Sequence, residues 1–185
     1  MRGTLVLVVG PSGAGKDTLI RGAKAALGGD WGYVFPAREI TRPIGAGGEA
    51  HVPVGETLFH RRRAQGAYSL SWRAHGLWYG IPRAMEDSLA AGRAVVINAS
   101  RSVIEEARRR YARRVVLNVS APAAVLQRRL QMRGRESAHD VAARLARAGA
   151  FQVAGPDVVT LVNDMPREQA IEAFVGILRG LRVPA

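Results

Sequence analysis

The chain has no cysteine, which excludes disulfides and thiolate metal sites. Lysine is almost missing as well. Of 27 basic residues only Lys16 and Lys24 are lysine, and the rest are arginine. No apolar run approaches the roughly 20 residues needed to span a bilayer. The run from Leu5 to Val9 is too short for a secretory core, and it ends in glycine and proline with no small-residue cleavage site after it. Aromatic residues are few, at 6%, and neither repeats nor low-complexity segments occur. What remains is the expectation of a soluble, cytoplasmic protein. Its 185 residues, 48% of them apolar, suit one compact α/β domain.

The net charge of +12 decides little. It fits a nucleic-acid binder, an enzyme with phosphorylated ligands, or simply a GC-rich genome that favours arginine codons. A recognisable nucleic-acid motif is missing, so neither nucleic acid nor membrane is expected as a partner. More telling is where one of the two lysines falls. "LVLVVGPSGAGKDTLI" places Lys16 in a glycine-rich turn between a β-branched strand pattern, Thr4 to Val9, and a helix pattern that runs from Gly15 to Leu27 and stops at Gly28-Gly29. Glycines at 10, 13 and 15 let successive N–H groups turn inward, which makes a nest for phosphate oxygens at the positive end of the following helix. The nucleotide-binding residues expected here are Gly10, Pro11, Ser12, Gly13, Ala14, Gly15, Lys16, Asp17 and Thr18, with Lys16 reaching the β- and γ-phosphates.

Asp17 stands where such loops carry a hydroxyl, and Thr18 follows one residue late. A carboxylate there is a good oxygen ligand for magnesium, directly or through water. It also gains about 0.3–1 kcal/mol from the helix dipole. The competing reading is an acid that only stabilises the first turn of the helix.

Further along, the sequence predicts strands at Ala94 to Ile97, Val115 to Val119 and Val158 to Val162. Helices are predicted from Ser102, in a capping box with Glu105, to about Arg110; from Pro122 to Leu130; and from Arg167 to Leu181. With the first strand that places four strands, and their alternation with helices predicts a parallel sheet of five buried strands covered on both faces. Between Pro36 and about Pro82 the pattern breaks up, apart from a helix near Glu56 to Gln65. It reads as an insertion over the sheet edge that carries function more than core. The runs Arg61–Arg63 and Arg108–Arg110 read as solvated helix faces. Trp72 and Trp78 read as packing the insertion, and His75 as a turn residue.

Two segments supply arginines for a phosphoryl group in transfer. "RLQMRGRE" places Arg129, Arg133 and Arg135 near the hinge candidate Gly134, and "ARLARA" adds Arg144 and Arg147. A flap closing over triphosphate needs such planar, permanently charged forks, although an ordinary basic surface has the same composition. "ITRPIGAGGEAH" and "SWRAHGLWYGIP" offer Arg42, Arg73 and Tyr79 as phosphate or sugar contacts.

"GPSGAGK", "TRP", "HGLWYG", "RLQMRGRE", "RLARA" and "VND" occur in the order of the guanylate-kinase-like branch of P-loop kinases, which the chain resembles over nearly its whole length. Within that branch "GKDT", "ITRP", "GGE", "SWRAHGLWYGIP" and "RGRE" resemble the ribose 1,5-bisphosphate phosphokinases. The resemblance implies a three-layer α/β/α fold with sheet order 2-3-1-4-5. It divides the chain into a core (1–35, 83–130 and 150–185), an acceptor-binding insertion (about 36–82) and a lid (about 131–149). It implies ATP as co-substrate with Mg2+, Asp17 as a metal ligand, and Lys16, Arg133 and Arg144 as the catalytic cations. Arg129 and Asn163 would belong to the ATP site. Arg42, Arg73 and Tyr79 would bind a sugar phosphate. Two departures from guanylate kinases matter. Their base-reading carboxylates are replaced by Leu70 and by Ser100 in "NAS", so guanine's donors would go unpaired at about 1–3 kcal/mol each. The remaining alternatives are a guanylate kinase with an altered pocket and a non-catalytic binding module. The sequence does not fix an oligomeric state.

Overall fold

The computed structural model describes residues 2–43, 51–132 and 153–181. Its centre is a parallel five-stranded sheet. β1 (Thr4–Val9) is flanked by β7 (Ala94–Asn98) on one side and β8 (Arg114–Ser120) on the other; β2 (Tyr33–Val34) and β9 (Val158–Val162) close the edges. Numbered within this sheet alone, the order is the expected 2-3-1-4-5. The edge strand Tyr33–Val34 is only two residues long, too short to show a period, and the sequence pattern did not locate it.

Alternation along β1 divides the core. Leu5, Leu7 and Val9 face one layer, while Val6 and Val8 face the other. The Val6 side packs on Leu19, Ala23 and Leu27 of α1 (Lys16–Leu27) and on Phe174, Val175 and Leu178 of α6 (Arg167–Gly180). On the Leu5 side stand α3 (Met85–Ala90), α4 (Ile104–Arg110) and, in addition, a second sheet.

That second sheet corrects the reading of residues 36–82 as irregular and peripheral. β3 (Glu39–Ile40), β4 (Val52–Pro53), β5 (Tyr68–Ala74) and β6 (Leu77–Pro82) form it in the order β4-β3-β6-β5, with α2 (Glu56–Ala64) alongside. Ile40, Leu70, Trp72, Tyr79 and Ile81 join the same apolar cluster as Leu5 and Leu7, so this segment is core as well as wall. β5 and β6 are a hairpin closed by His75 (φ 51°) and Gly76 (φ 75°). A two-residue turn with both residues at positive φ matches the right-handed twist of the strands, which accounts for a histidine in a conformation that L residues rarely adopt.

Two further expectations change. Ser102 does not cap α4. Ser100 caps instead a short 3-10 turn, Arg101–Val103, ahead of the helix, its Oγ accepting from the Ser102 backbone N–H at 3.2 Å, while α4 itself follows Val103 without a side-chain cap. Nor are the arginine runs merely solvated. Arg62 reaches the buried Glu39 with Nη1 2.8 Å from both carboxylate oxygens, and the Tyr68 hydroxyl donates to the same carboxylate at 2.6 Å. Arg108 and Arg114 converge on Asp157. Arg110 pairs with Glu106 and donates to the Ser69 carbonyl. Each of these arginines ties its helix or strand to another element. α5 (Ala123–Met132) starts at Pro122 as expected, the Leu126 N–H donating to the Pro122 carbonyl at 3.0 Å.

Candidate active site

Parallel sheets bind ligands beyond the carboxyl ends of their strands, where the connections diverge. The turn after β1 occupies that place. Gly10 (φ 141°) and Gly15 (φ 93°) shape it. A Cβ at Gly10 would stand 2.0 Å from the Val119 carbonyl oxygen; at Gly15 it would stand 2.4 Å from Asn163 Nδ2. Neither space admits a side chain. Lys16 Nζ donates to the carbonyls of Gly10 at 2.7 Å and Pro11 at 2.9 Å. The loop is braced from behind by Asn163, buried just beyond β9, whose Nδ2 donates to the Ala14 carbonyl at 2.7 Å. Arg129, on α5, approaches the same turn, with Nη1 3.8 Å from the place a Gly15 Cβ would take.

Between this loop and the second sheet lies a cavity of about 290 Å3. The turn residues Gly10–Gly13 and Gly15–Asp17 form its floor, Asn98–Arg101 one side, and Arg38, Trp72, Ala74, His75 and Tyr79 the facing wall. Trp72 and Tyr79 stack with parallel rings, 5.4 Å between centroids. The Arg38 guanidinium lies over both. Burial lowers the Arg101 pKa from its ordinary value, which marks a cation partly withdrawn from water. Asp17 is the single acid among the described lining residues. Asn98 Nδ2 donates to its Oδ1 at 2.5 Å.

Of the residues singled out from sequence, the loop through Asp17 lines this cavity or supports it, and Tyr79 joins it from the second sheet. Arg73 does not. It follows Trp72 on β5 and so faces the other side of the strand, its guanidinium 6.0 Å from the Trp78 ring. Arg42 lies just past β3, beside a second, shallow hollow with Pro43 and Glu56. Trp78 packs the insertion, as expected, with Phe59 and His60. Trp72 packs it too, but also lines the cavity, and so does the turn residue His75. Arg133 and Arg144 lie outside the described residues. Sequence reasoning missed Arg38, Asn98 and Arg101 as lining residues. Asn98 and Arg101 follow directly from the end of a strand at the sheet's carboxyl edge, a signal available in "VVINASR". Arg38 gave none, because the strand after it is only two residues long.

A scan against protein-family models gives no match. Curated relatives do match. A ribose 1,5-bisphosphate phosphokinase PhnN of Brucella melitensis is 43% identical over 98% of this chain and 95% of its own length. One from Acidiphilium cryptum is 51% identical over 95% of this chain and 92% of its own length. The chain belongs to the ribose 1,5-bisphosphate phosphokinase family. Family members also occur fused to a second activity. A bifunctional ribose 1,5-bisphosphokinase-thymidine phosphorylase of Cupriavidus necator is 50% identical over 99% of this chain, which spans 30% of that relative's length. Among solved structures, a guanylate kinase from Anaplasma phagocytophilum matches with a TM-score of 0.68 at 19% identity, over 99% of this chain and 88% of that one. That likeness shows the fold: an α/β P-loop kinase architecture. Among the described residues no helix is long and apolar enough to cross a membrane.

Proposed function

We propose that this chain transfers the γ-phosphoryl group of ATP to the 1-phosphate of ribose 1,5-bisphosphate, giving 5-phospho-α-D-ribose 1-diphosphate and ADP. The observation that carries the reading is the cavity's composition. A phosphate-binding turn forms one side of it, and the other sides present Arg38, Arg101, Tyr79 and Trp72 with no carboxylate among the described residues. A nucleobase with N–H donors would find no charged acceptor there, whereas a polyanionic sugar suits the wall.

The acceptor is itself a phosphate oxygen, largely ionised at neutral pH because its second pKa is about 6. A strong general base is therefore unnecessary. Catalysis is positioning and charge neutralisation. Gly10 to Thr18 cradle the triphosphate, with Lys16 on its outer oxygens. Arg129 and Asn163 support the ATP side, and Arg133 and Arg144 act as lid cations. Tyr79, Arg42 and Arg73 are assigned to the acceptor, Arg42 and Arg73 on sequence grounds alone. The division into core, insertion and lid belongs to the same proposal, as does a cytoplasmic setting.

Magnesium suits this donor set. Among the described residues no group of three or more His, Asp or Glu is placed to hold a metal by itself. Asp17 offers one carboxylate beside the loop. A single carboxylate plus substrate phosphates and water is how magnesium is usually held. Asp17 would hold the ion, and the ion would neutralise charge on the transferring phosphoryl group.

The test is an acceptor screen with ATP and magnesium over ribose 1,5-bisphosphate, GMP, other nucleoside monophosphates and other pentose phosphates. Turnover of ribose 1,5-bisphosphate with negligible GMP turnover is expected. Robust GMP phosphorylation would return the chain to the guanylate kinases, and no ATP binding at all would make it a scaffold.

A further inference from the structure

The cavity wall opposite the loop holds a cation that none of these assignments uses. Arg38 Nη1 donates to the Asn98 main-chain carbonyl at 2.8 Å. Its Cζ lies 5.3 Å from the Tyr79 ring centroid and 5.8 Å from that of Trp72. Those two rings are themselves parallel, 1° apart. A guanidinium laid over two stacked rings and tied along one edge has lost most of its rotamer freedom before any ligand arrives, so a ligand that meets it orders little else.

Its position matters as much as its rigidity. The residue whose carbonyl receives Arg38 is the residue whose side chain donates to Asp17 at 2.5 Å. Asn98 thus separates two compartments of one cavity: the loop with Lys16 and Asp17, and the aromatic wall with Arg38. On the Asn98 side of the cavity Arg101 is a further lining cation, partly desolvated by burial. Desolvated cations attract an anion more strongly than exposed ones.

An acceptor whose single phosphate receives the transferred group has no second anion to set against Arg38. Ribose 1,5-bisphosphate brings a second dianion, joined to the first through the sugar. The geometry points to Arg38 as the residue that holds the acceptor's second phosphate, the one that is not phosphorylated, and so selects bisphosphorylated over monophosphorylated pentoses. This inference rests on the phosphokinase reading and names the specificity-determining residue within it.

Steady-state kinetics with ATP test it, comparing wild type and Arg38→Met on ribose 1,5-bisphosphate and on ribose 1-phosphate. Calorimetric binding of ribose 5-phosphate is measured alongside. One charge-assisted phosphate contact corresponds to roughly 10- to 100-fold. Arg38→Met should shrink the ratio of kcat/KM between the two acceptors by about that factor, mostly through KM. Ribose 5-phosphate binding should weaken to a similar degree, and affinity for a non-hydrolysable ATP analogue should persist. Arg38→Lys, which keeps the charge but not the fork, should fall between. If Arg38→Met loses analogue binding, its fold is damaged and Arg38→Lys carries the same ratio test. Equal losses on both acceptors, or an unchanged ratio, overturn the assignment. A wild type that turns over neither acceptor refutes the phosphokinase reading instead; in that event ribose 5-phosphate binding, weakened or not by Arg38→Met, still decides the anion site.

Discussion

The Asn98 side-chain amide donates to the Asp17 carboxylate at 2.5 Å, which fixes where the loop's unusual acid points. A carboxylate after the loop lysine repels a bare triphosphate. Held by Asn98, it lines the cavity beside the loop, where under the proposed reading a divalent cation would meet both it and the phosphates.

The first prediction follows from that contact. Asn98→Ala should raise the magnesium concentration needed for half-maximal activity by about 3- to 10-fold, since one hydrogen bond to a charged group is lost. Asn98→Asp should do worse, by setting a second negative charge against Asp17. Magnesium titrations of both activity and fluorescent ADP-analogue binding check this. If thermal stability falls but neither magnesium curve moves, the Asn98 amide only braces Asp17 in the first turn of α1.

Lys16→Ala should lower kcat by about 100- to 1000-fold, the usual loss when one preorganised donor to a transition-state anion is removed. Lys16 Nζ also bonds the Gly10 and Pro11 carbonyls, so the substitution should loosen the turn and weaken ATP-analogue binding. The global unfolding midpoint should barely change, because β1 and α1 keep their apolar contacts. Near-normal turnover by Lys16→Ala would refute the loop assignment.

How far the sequence exposed this site depends on where its residues sit. The turn from Gly10 to Thr18 was legible because glycine spacing, a buried strand and a helix all demand the same geometry at one place. The order of the main sheet followed from the family resemblance, while four of its five strands were visible as apolar runs. The second sheet was not, because two of its strands are two residues long and its hairpin turns on His75-Gly76 rather than an Asn-Gly signal. Trp72 and Arg73 show the consequence. Neighbours in sequence, they face opposite sides of β5, and only the register with β6 decides which one meets the cavity. Arg108 and Asp157, 49 residues apart, pair through tertiary packing that no local period encodes.

Gly15 and Asn163 form a testable couple. Gly15→Ala puts a side chain at φ 93° and within 2.4 Å of Asn163 Nδ2. The backbone strain alone is worth about 1–3 kcal/mol, and the displaced amide no longer holds the Ala14 carbonyl. ATP-analogue affinity should fall at least about tenfold. Asn163→Ala alone should cost about 1–3 kcal/mol of stability by leaving that carbonyl without its partner. Combined, the two should cost less than their sum, because the second substitution removes the clash of the first. Additive losses in denaturant midpoints would show that the two positions do not touch.

Asp157 gives a prediction remote from the chemistry. It stands just ahead of β9, at the amino ends of the strands, opposite the cavity. Arg108 Nη2 lies 2.7 Å from its Oδ1 and Arg114 Nε 3.0 Å from its Oδ2, with 11% of the Asp157 side chain exposed. Hydrogen bonding to the Arg108 fork is the main reason its carboxyl sits below the ordinary carboxylate range. A pKa lower in the folded than in the unfolded chain contributes stability above the unfolded value, about 3.9, and that contribution fades as pH falls through the folded value. Asp157→Asn should therefore destabilise the protein at pH 7 by about 1–3 kcal/mol, since two arginines lose a partly buried partner. Below about pH 3.9 the gap between variant and wild type should narrow. KM for ATP and acceptor should be unchanged at neutral pH. Urea midpoints measured for both proteins from pH 7 downward check the sign, and a gap that widens toward acid would contradict the pairing.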